Sequence, residues 1–287
     1  MEVHLVDGTY ELFRSYFGAP SKINSDGLEI GATLGFARSM AKMLREPNVT
    51  HVGAAFDSEV MSFRNDLFDG YKTGDGIEPE LFAQFPWVER VADALGMQVW
   101  RMIEFEADDA IATAARIANE DKGVTRVVIA SPDKDLCQCV VGGKVIVWDR
   151  RREIELDEKG VIDKFGISPE SIPDYLGLVG DAADGIPGIA KWGAKSTATV
   201  LSHYKRIENI PEDGLAWNVK VRGARGLSAS LNENRKDAML FRKLAVLRQD
   251  VPLDSSVKDW KWHGADKAKL EKLADDLHEP AFASLRT

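Results

Sequence analysis

Acidic residues recur in this chain at the places where buried strands should end. They stand as Asp7 in "VHLVDGT", Asp57 in "HVGAAFDS", "FEADDA" at 105–110, "VVIASPDKD" at 127–135 and "GDAADGIPG" at 180–188. Carboxylates brought close together resist ionising together. A chain that gathers Asp7, Asp57, Glu106, Asp108, Asp109, Asp133, Asp135, Asp181 and Asp184 in this way therefore needs cations among them. They are too many for a single acid/base pair. Oxygen-only donors in this number suit divalent ions acting on phosphate.

The apolar pattern sets the fold. Short apolar runs predict strands at 3–6, 51–56, 97–101, 126–131 and 144–148, and amphipathic stretches predict helices at about 9–17, 31–46, 78–95 and 106–120. Strands so apolar, alternating with helices, imply an α/β fold with a mainly parallel sheet covered on both faces. In such sheets ligands bind outside the carboxyl ends of the strands, so one crevice can collect acids far apart in sequence.

From Ser168-Pro169-Glu170 the pattern turns helical, with "SIPDYLGLVG" and "KSTATVLSHY" on either side of a glycine-rich turn. The expected organisation is an α/β domain over 1–165 with an irregular segment at about 60–86, a helical region over 166–250, and a polar tail over 251–287 carrying one helix at 265–277. Gly74-Asp75-Gly76 and Pro79 interrupt the irregular segment, which should be mobile or ordered by a ligand.

Charge divides unevenly. The net charge of −9 is that of the nine acids named above, whereas residues 186–250 hold twelve Lys/Arg against six Asp/Glu, an excess of six positive charges. An acidic half beside a basic half fits an enzyme that holds metals in one place and a polyanion in the other. The 44% hydrophobic and 29% charged content is that of an ordinary soluble protein. No apolar run reaches membrane-spanning length, and "MEVHLVDG" opens as a strand rather than a signal peptide. Cys137 and Cys139, one residue apart, suit reduced thiols better than a disulfide. Together these features predict a cytoplasmic protein.

Three segments carry the chemistry. In "FEADDAIATAA" three acids in four positions exceed what capping a helix requires. In "IASPDKDL" proline ends the strand, and a turn aims Asp133 and Asp135 together. In "GDAAD" the i,i+3 spacing would put Asp181 and Asp184 on one helical face. Beyond them, "GIPGIAKWGAKS" predicts two short helices joined by a turn that grips backbone phosphate. Amides at the second helix's N-terminus face the anion, Gly188 and Gly193 permit close approach, and Lys191, Lys195 and Ser196 complete the grip. Nothing in that segment reaches for base edges, so the grip should be indifferent to sequence.

"LVDGTY", "AAFDS…SFRNDLFDGYK", "FEADDAIA", "SPDKDL" and "LVGDAADGIPG…WGAKSTA", in this order over residues 1 to about 250, resemble the 5′ nuclease (flap endonuclease) family, including the 5′→3′ exonuclease domain of bacterial DNA polymerase I. The resemblance implies a PIN-like nuclease domain, a helix–three-turn–helix DNA grip, a gateway over the active site, and two or more Mg²⁺ or Mn²⁺ ions. By position it implies that Asp7, Asp57, Glu106 and Asp108 hold a first metal, with Asp109 nearby, and that Asp133, Asp135, Asp181 and Asp184 hold a second. Lys72 matches the lysine at the scissile phosphate, with Tyr71 beside it and Arg64 in support.

Three departures stand out. Thr73-Gly74-Asp75 replaces the second gateway cation. Lys191-Trp192-Gly193 replaces a Gly-x-Gly turn that often carries a potassium ion, so either K⁺ sits at the 186–193 turn or Lys191 supplies part of its charge. Gly185 stands where Asn is common, a departure expected to be minor. The implied protein is a stand-alone, monomeric, nucleoid-associated nuclease acting on DNA with 5′ ends, flaps or branches. Two alternatives are a relative that binds branched DNA without cutting and a PIN-type ribonuclease, though the latter lacks the 180–205 grip. A haloacid-dehalogenase-type phosphatase would need a nucleophilic Asp at position 5, which is Leu5.

The grip can be tested by itself. Replacing Lys191 and Lys195 with Ala should weaken binding about equally for unrelated duplexes. It should also flatten the slope of log affinity against log salt by about 0.9 for each phosphate that the variant no longer neutralises. A double variant that matches wild type across a salt series would show that the grip lies elsewhere.

Overall fold

The computed structural model describes residues 1–285. Among these residues there are six strands: β1 (Glu2–Asp7), β2 (His51–Asp57), β3 (Gln98–Met102), β4 (Arg126–Ala130), β5 (Val145–Asp149) and β6 (Ile154–Leu156). The α-helices are α1 (Gly8–Gly18), α2 (Gly31–Leu44), α3 (Phe63–Leu67), α4 (Pro79–Phe82), α5 (Phe85–Ala94) and α6 (Ala107–Glu120), followed by α7 (Glu158–Phe165), α8 (Ile172–Val179), α9 (Ala194–Tyr204), α10 (Ala224–Glu233), α11 (Arg235–Ala245) and α12 (Lys267–Asp276). They form two compact units, neither continuous in sequence. One comprises Met1–Ser62, Gly74–Ser131 and the described residues from Arg248 on; the other comprises Phe63–Thr73 and Pro132–Leu247.

In the first unit the strands run parallel in the order β3-β2-β1-β4. Consecutive positions of β1 and β2 are buried, including Val3, Leu5 and Val6 and then Val52, Ala54 and Ala55. Successive side chains point to opposite faces, so both faces of these strands are covered, as the apolar runs require. Parallel strands in register bring their carboxyl ends to one edge. Asp7 closes β1 and Asp57 closes β2, and Glu106 follows β3 after a short loop. The segment beyond Arg248 is part of this core: Trp260 is buried edge-on to Trp100 of β3, with ring centroids 5.2 Å apart. Leu270, Leu273, Leu277 and Phe282 are buried as well.

The second unit holds the antiparallel pair β5–β6 and the helices α3 and α7–α11. Its structural acid is Asp174 of α8. Burial raises its pKa, opposed by a hydrogen bond from the Ile207 amide (2.8 Å) and the charges of Arg242 and Arg206.

One expected helix breaks and one strand goes unexpected, each for a local reason. The helix predicted over 78–95 is two pieces, α4 and α5, because Pro79 and Pro86 fit only the first turn of a helix. β6 escapes prediction: it is a short, exposed strand, Ile-Glu-Leu, without an apolar run.

Candidate metal centre and nucleic-acid interface

The first acidic set lies in the first unit. Asp7 ends β1 and caps α1: its Oδ1 accepts the Tyr10 amide (2.8 Å) and its Oδ2 accepts the Ser131 hydroxyl (2.9 Å). Asp57 Oδ1 accepts the amide of Ala107 (2.8 Å), while its own amide donates to Thr9 Oγ1 (2.8 Å). Glu106 is the residue just before α6, buried, with Oε1 accepting from Ser62 Oγ (2.7 Å). Asp108 is half-buried in the first turn of α6.

Asp109 is different. It is 0% exposed, and its two oxygens accept the amides of Glu106 (3.0 Å) and Arg248 (2.8 Å). A carboxylate bonded in that way ties the start of α6 to the returning chain.

The second set lies in the second unit. Pro132 follows the strand β4, and Asp133 Oδ1 accepts the amide of Asp135 (2.9 Å). Asp133 is exposed and Asp135 is buried. The shared helical face expected for Asp181 and Asp184 does not form. α8 stops at Val179, and Asp181 and Ile186 exchange backbone hydrogen bonds across a tight turn (2.8 Å each). Glycine at 180, 185 and 188, all with positive φ, and Pro187 exclude helix there. The turn still delivers both side chains: oxygens of Asp135, Asp181 and Asp184 lie within 4.8 Å of one another.

These aspartates are matched by lysines. Lys134 Nζ lies 2.5 Å from Asp181 Oδ2, and Lys72 Nζ lies 2.9 Å from Asp184 Oδ1. Burial and the charges of Asp133, Asp184 and Asp181 push the Asp135 carboxyl well above the usual range, with Lys134 pulling the other way. Asp135 Oδ1 is buried with no hydrogen-bond partner. At Lys134 burial alone would lower the pKa, but the hydrogen bond to Asp181 and the charges of Asp135, Asp181 and Asp133 outweigh it and raise it. Sequence reasoning passes over Lys134, although a cation between two crowded carboxylates in "PDKD" is the signal. It also passes over Ser131 and Ser62.

Of the residues expected at the gateway, Lys72 reaches the acidic turn twice, through its ammonium and through its amide, which donates to the Asp184 carbonyl (3.0 Å). Tyr71 is buried, with its ring centroid 5.5 Å from Lys72 Nζ. Arg64 is 1% exposed and donates to the carbonyls of Leu244 (2.7 Å) and Val246 (3.0 Å). A guanidinium there satisfies the last carbonyls of α11, which is a scaffolding contact. Gly185 is not a minor departure. It has φ +73°, and a Cβ there would sit 2.2 Å from the Gly70 carbonyl oxygen. Any larger residue would displace the segment that carries Lys72.

In the segment expected to grip phosphate, α8 and α9 flank the loop 180–193. Gly188 packs where a Cβ would lie 2.5 Å from the Gly180 amide nitrogen. Lys191 adopts φ +73° with its side chain exposed, and Trp192 is buried, donating to the Leu227 carbonyl (3.1 Å). Gly193 precedes α9, whose first turn carries Ser196 with Oγ bonded to the Gly193 backbone (3.0 and 3.2 Å). Lys195 is exposed beside it.

The sequence matches a family described as 5′-3′ exonuclease, N-terminal resolvase-like domain, over residues 2–166, and one described as 5′-3′ exonuclease, C-terminal SAM fold, over 167–268. A 5′-3′ exonuclease of Aquifex aeolicus is 30% identical over 276 residues, 96% of this chain and 91% of that protein. DNA polymerase I of Bacillus caldotenax is 31% identical over 282 residues, 97% of this chain but 31% of that protein. The chain thus spans about a third of the length of the polymerase relatives it matches. Among solved structures, the flap endonuclease of bacteriophage T5, in a pseudo-enzyme-product complex with DNA and metal ions, shares the fold. Its TM-score is 0.67 at 16% identity, covering 99% of this chain and 97% of that one. The chain belongs to the 5′-3′ exonuclease family. Its mostly parallel α/β domain and helical SAM-like region are the fold of that family. No helix among the described residues is long and apolar enough to cross a membrane.

The Asp135 environment predicts a pH-dependent stability. Its native pKa is raised, so the stability it contributes is complete below its unfolded value near 4 and is lost as pH rises through the native value. At neutral pH without metal, Asp135→Asn should therefore resist urea better than wild type, and the difference should shrink towards pH 4. An Asn variant less stable than wild type at neutral pH in EDTA would contradict the crowding.

Proposed function

We propose that this chain is a divalent-metal-dependent 5′ nuclease that hydrolyses DNA phosphodiester bonds at 5′ ends, flaps or branches by a two-metal-ion mechanism. One observation supports the metal reading above the rest: Asp135, Asp181 and Asp184 crowd their oxygens within 4.8 Å, and one buried oxygen of Asp135 has no partner. An all-carboxylate donor set suits hard cations, Mg²⁺ or Mn²⁺. In this reading Asp7, Asp57, Glu106 and Asp108 hold one ion, and Asp133, Asp135, Asp181 and Asp184 hold the other. Asp109, with both oxygens taken by amides, positions α6 instead of ligating.

Bound divalent ions supply a low-pKa water and charge at the attacking and leaving oxygens of an in-line displacement. The chain's own residues do the rest. Lys72 brings an ammonium to the phosphate as its negative charge builds, and Tyr71 and Arg64 hold the segment that carries Lys72. Ser131 and Ser62 orient Asp7 and Glu106 through their hydroxyl hydrogen bonds. No side chain is required as general base, and the products carry a 5′-phosphate and a 3′-hydroxyl. Gly188, Lys191, Gly193, Lys195 and Ser196 grip the duplex backbone. At the 186–193 turn Lys191 supplies positive charge of the kind a potassium ion would bring.

The test is a labelled 5′-flap duplex incubated with Mg²⁺. Wild type should release a 5′ fragment. Asp181→Ala and Asp133→Ala should each slow release by roughly a hundredfold or more while DNA binding stays largely intact, because affinity comes from phosphate contacts elsewhere. Wild-type turnover by either variant would remove the assignment of the second ion, and binding without Mg²⁺-dependent cleavage by wild type would favour a non-cutting relative.

A further inference from the structure

Every oxygen of Asp181 is already engaged. Oδ1 accepts the Ala183 amide (3.1 Å), and Oδ2 faces the Lys134 ammonium at 2.5 Å. Lys72 lies against Asp184 in the same way, and Asp135 alone among the three presents a buried oxygen with no partner. The set is thus electrostatically half-filled by the chain itself. Both lysine side chains are about a third exposed (36% and 35%), so each ammonium can swing into solvent without unpacking a core.

We infer that Lys134 is a built-in counter-cation of the second acidic set, which a divalent ion must displace from Asp181 in order to bind. The inference rests on the reading of that set as a metal site. Displacement has a cost: the binding-competent arrangement is only the fraction of molecules in which Lys134 has swung away, and apparent affinity falls by that fraction. The same arrangement holds three aspartates together when no ion is present. It also links metal to substrate. DNA phosphates offer Lys134 and Lys72 other anionic partners, so DNA binding vacates the carboxylates and metal binding releases the lysines, each favouring the other.

The experiment is a Mn²⁺ titration of the DNA-free full chain, followed by the electron paramagnetic resonance signal of free Mn²⁺. Lys134→Met should bind Mn²⁺ roughly five- to tenfold more tightly than wild type. Lys236→Met removes the same charge from an exposed position on α11, outside the cluster, and should leave affinity unchanged. Lys134→Arg keeps the charge and adds a bidentate grip on Asp181, so it should weaken Mn²⁺ binding; it decides the matter if the Met variant does not fold. Unchanged or weaker binding by a folded Lys134→Met, or equal tightening by Lys236→Met, would overturn the inference. Asp181→Asn separates the two layers. If it binds Mn²⁺ as wild type does, the metal reading itself fails. If it loses a site while Lys134→Met matches wild type, only the displacement fails.

Discussion

Like-charge repulsion among carboxylates is the constraint on which the rest of this structure depends. Three aspartates with oxygens within 4.8 Å of one another, two of them buried, oppose folding unless positive charge joins them. The chain meets this in three ways. It supplies Lys134 and Lys72 directly. It keeps the Asp135 carboxyl well above the ordinary carboxylate range. And it leaves an oxygen of Asp135 without a partner, which is where a cation of higher charge gains most.

The surrounding fold makes that crowding geometrically possible. Parallel strands deliver Asp7 and Asp57 to one edge of the first unit's sheet, each fixed there by an amide hydrogen bond that also starts a helix. In the second unit an Asx-type contact between Asp133 and the Asp135 amide and a pair of backbone bonds between Asp181 and Ile186 do the same with turns. Glycine at 185 lets the Lys72 segment approach that turn to within backbone hydrogen-bond distance. Buried acids are therefore of two kinds here. Asp109 has both oxygens on backbone amides, and Asp174 is tied by the Ile207 amide with its other, unbonded oxygen 3.7 Å from the Arg206 guanidinium, whereas Asp135 keeps an unpartnered oxygen in a cluster with Asp181 and Asp184.

Much of this is legible in the sequence, because strands buried on both faces read as mostly apolar runs. The ends of β1, β2, β3, β4 and β5 fall within a residue of where the apolar runs stop, and the acids follow at once. β6 is invisible there because a solvated strand needs no apolar run. The turn at Asp181–Ile186 reads as helix because i,i+3 spacing serves both, and the decisive information lies in the three positive-φ glycines. Arg64 is expected in support of Lys72, and its hydrogen bonds to the carbonyls of Leu244 and Val246 join residues too far along the chain for spacing to reveal. Gly185 looks incidental because its necessity comes from the Gly70 carbonyl, which is a tertiary neighbour.

Whether cations occupy the carboxylates can be observed directly. Crystals of the full chain would be soaked in Mn²⁺ and measured near the manganese absorption edge. The expected result is an anomalous peak bounded by oxygens of Asp135, Asp181 and Asp184, with the Lys134 ammonium moved off Asp181. Mn²⁺-dependent cleavage by the same preparation with no peak at those carboxylates, and Lys134 still seated on Asp181, would contradict it.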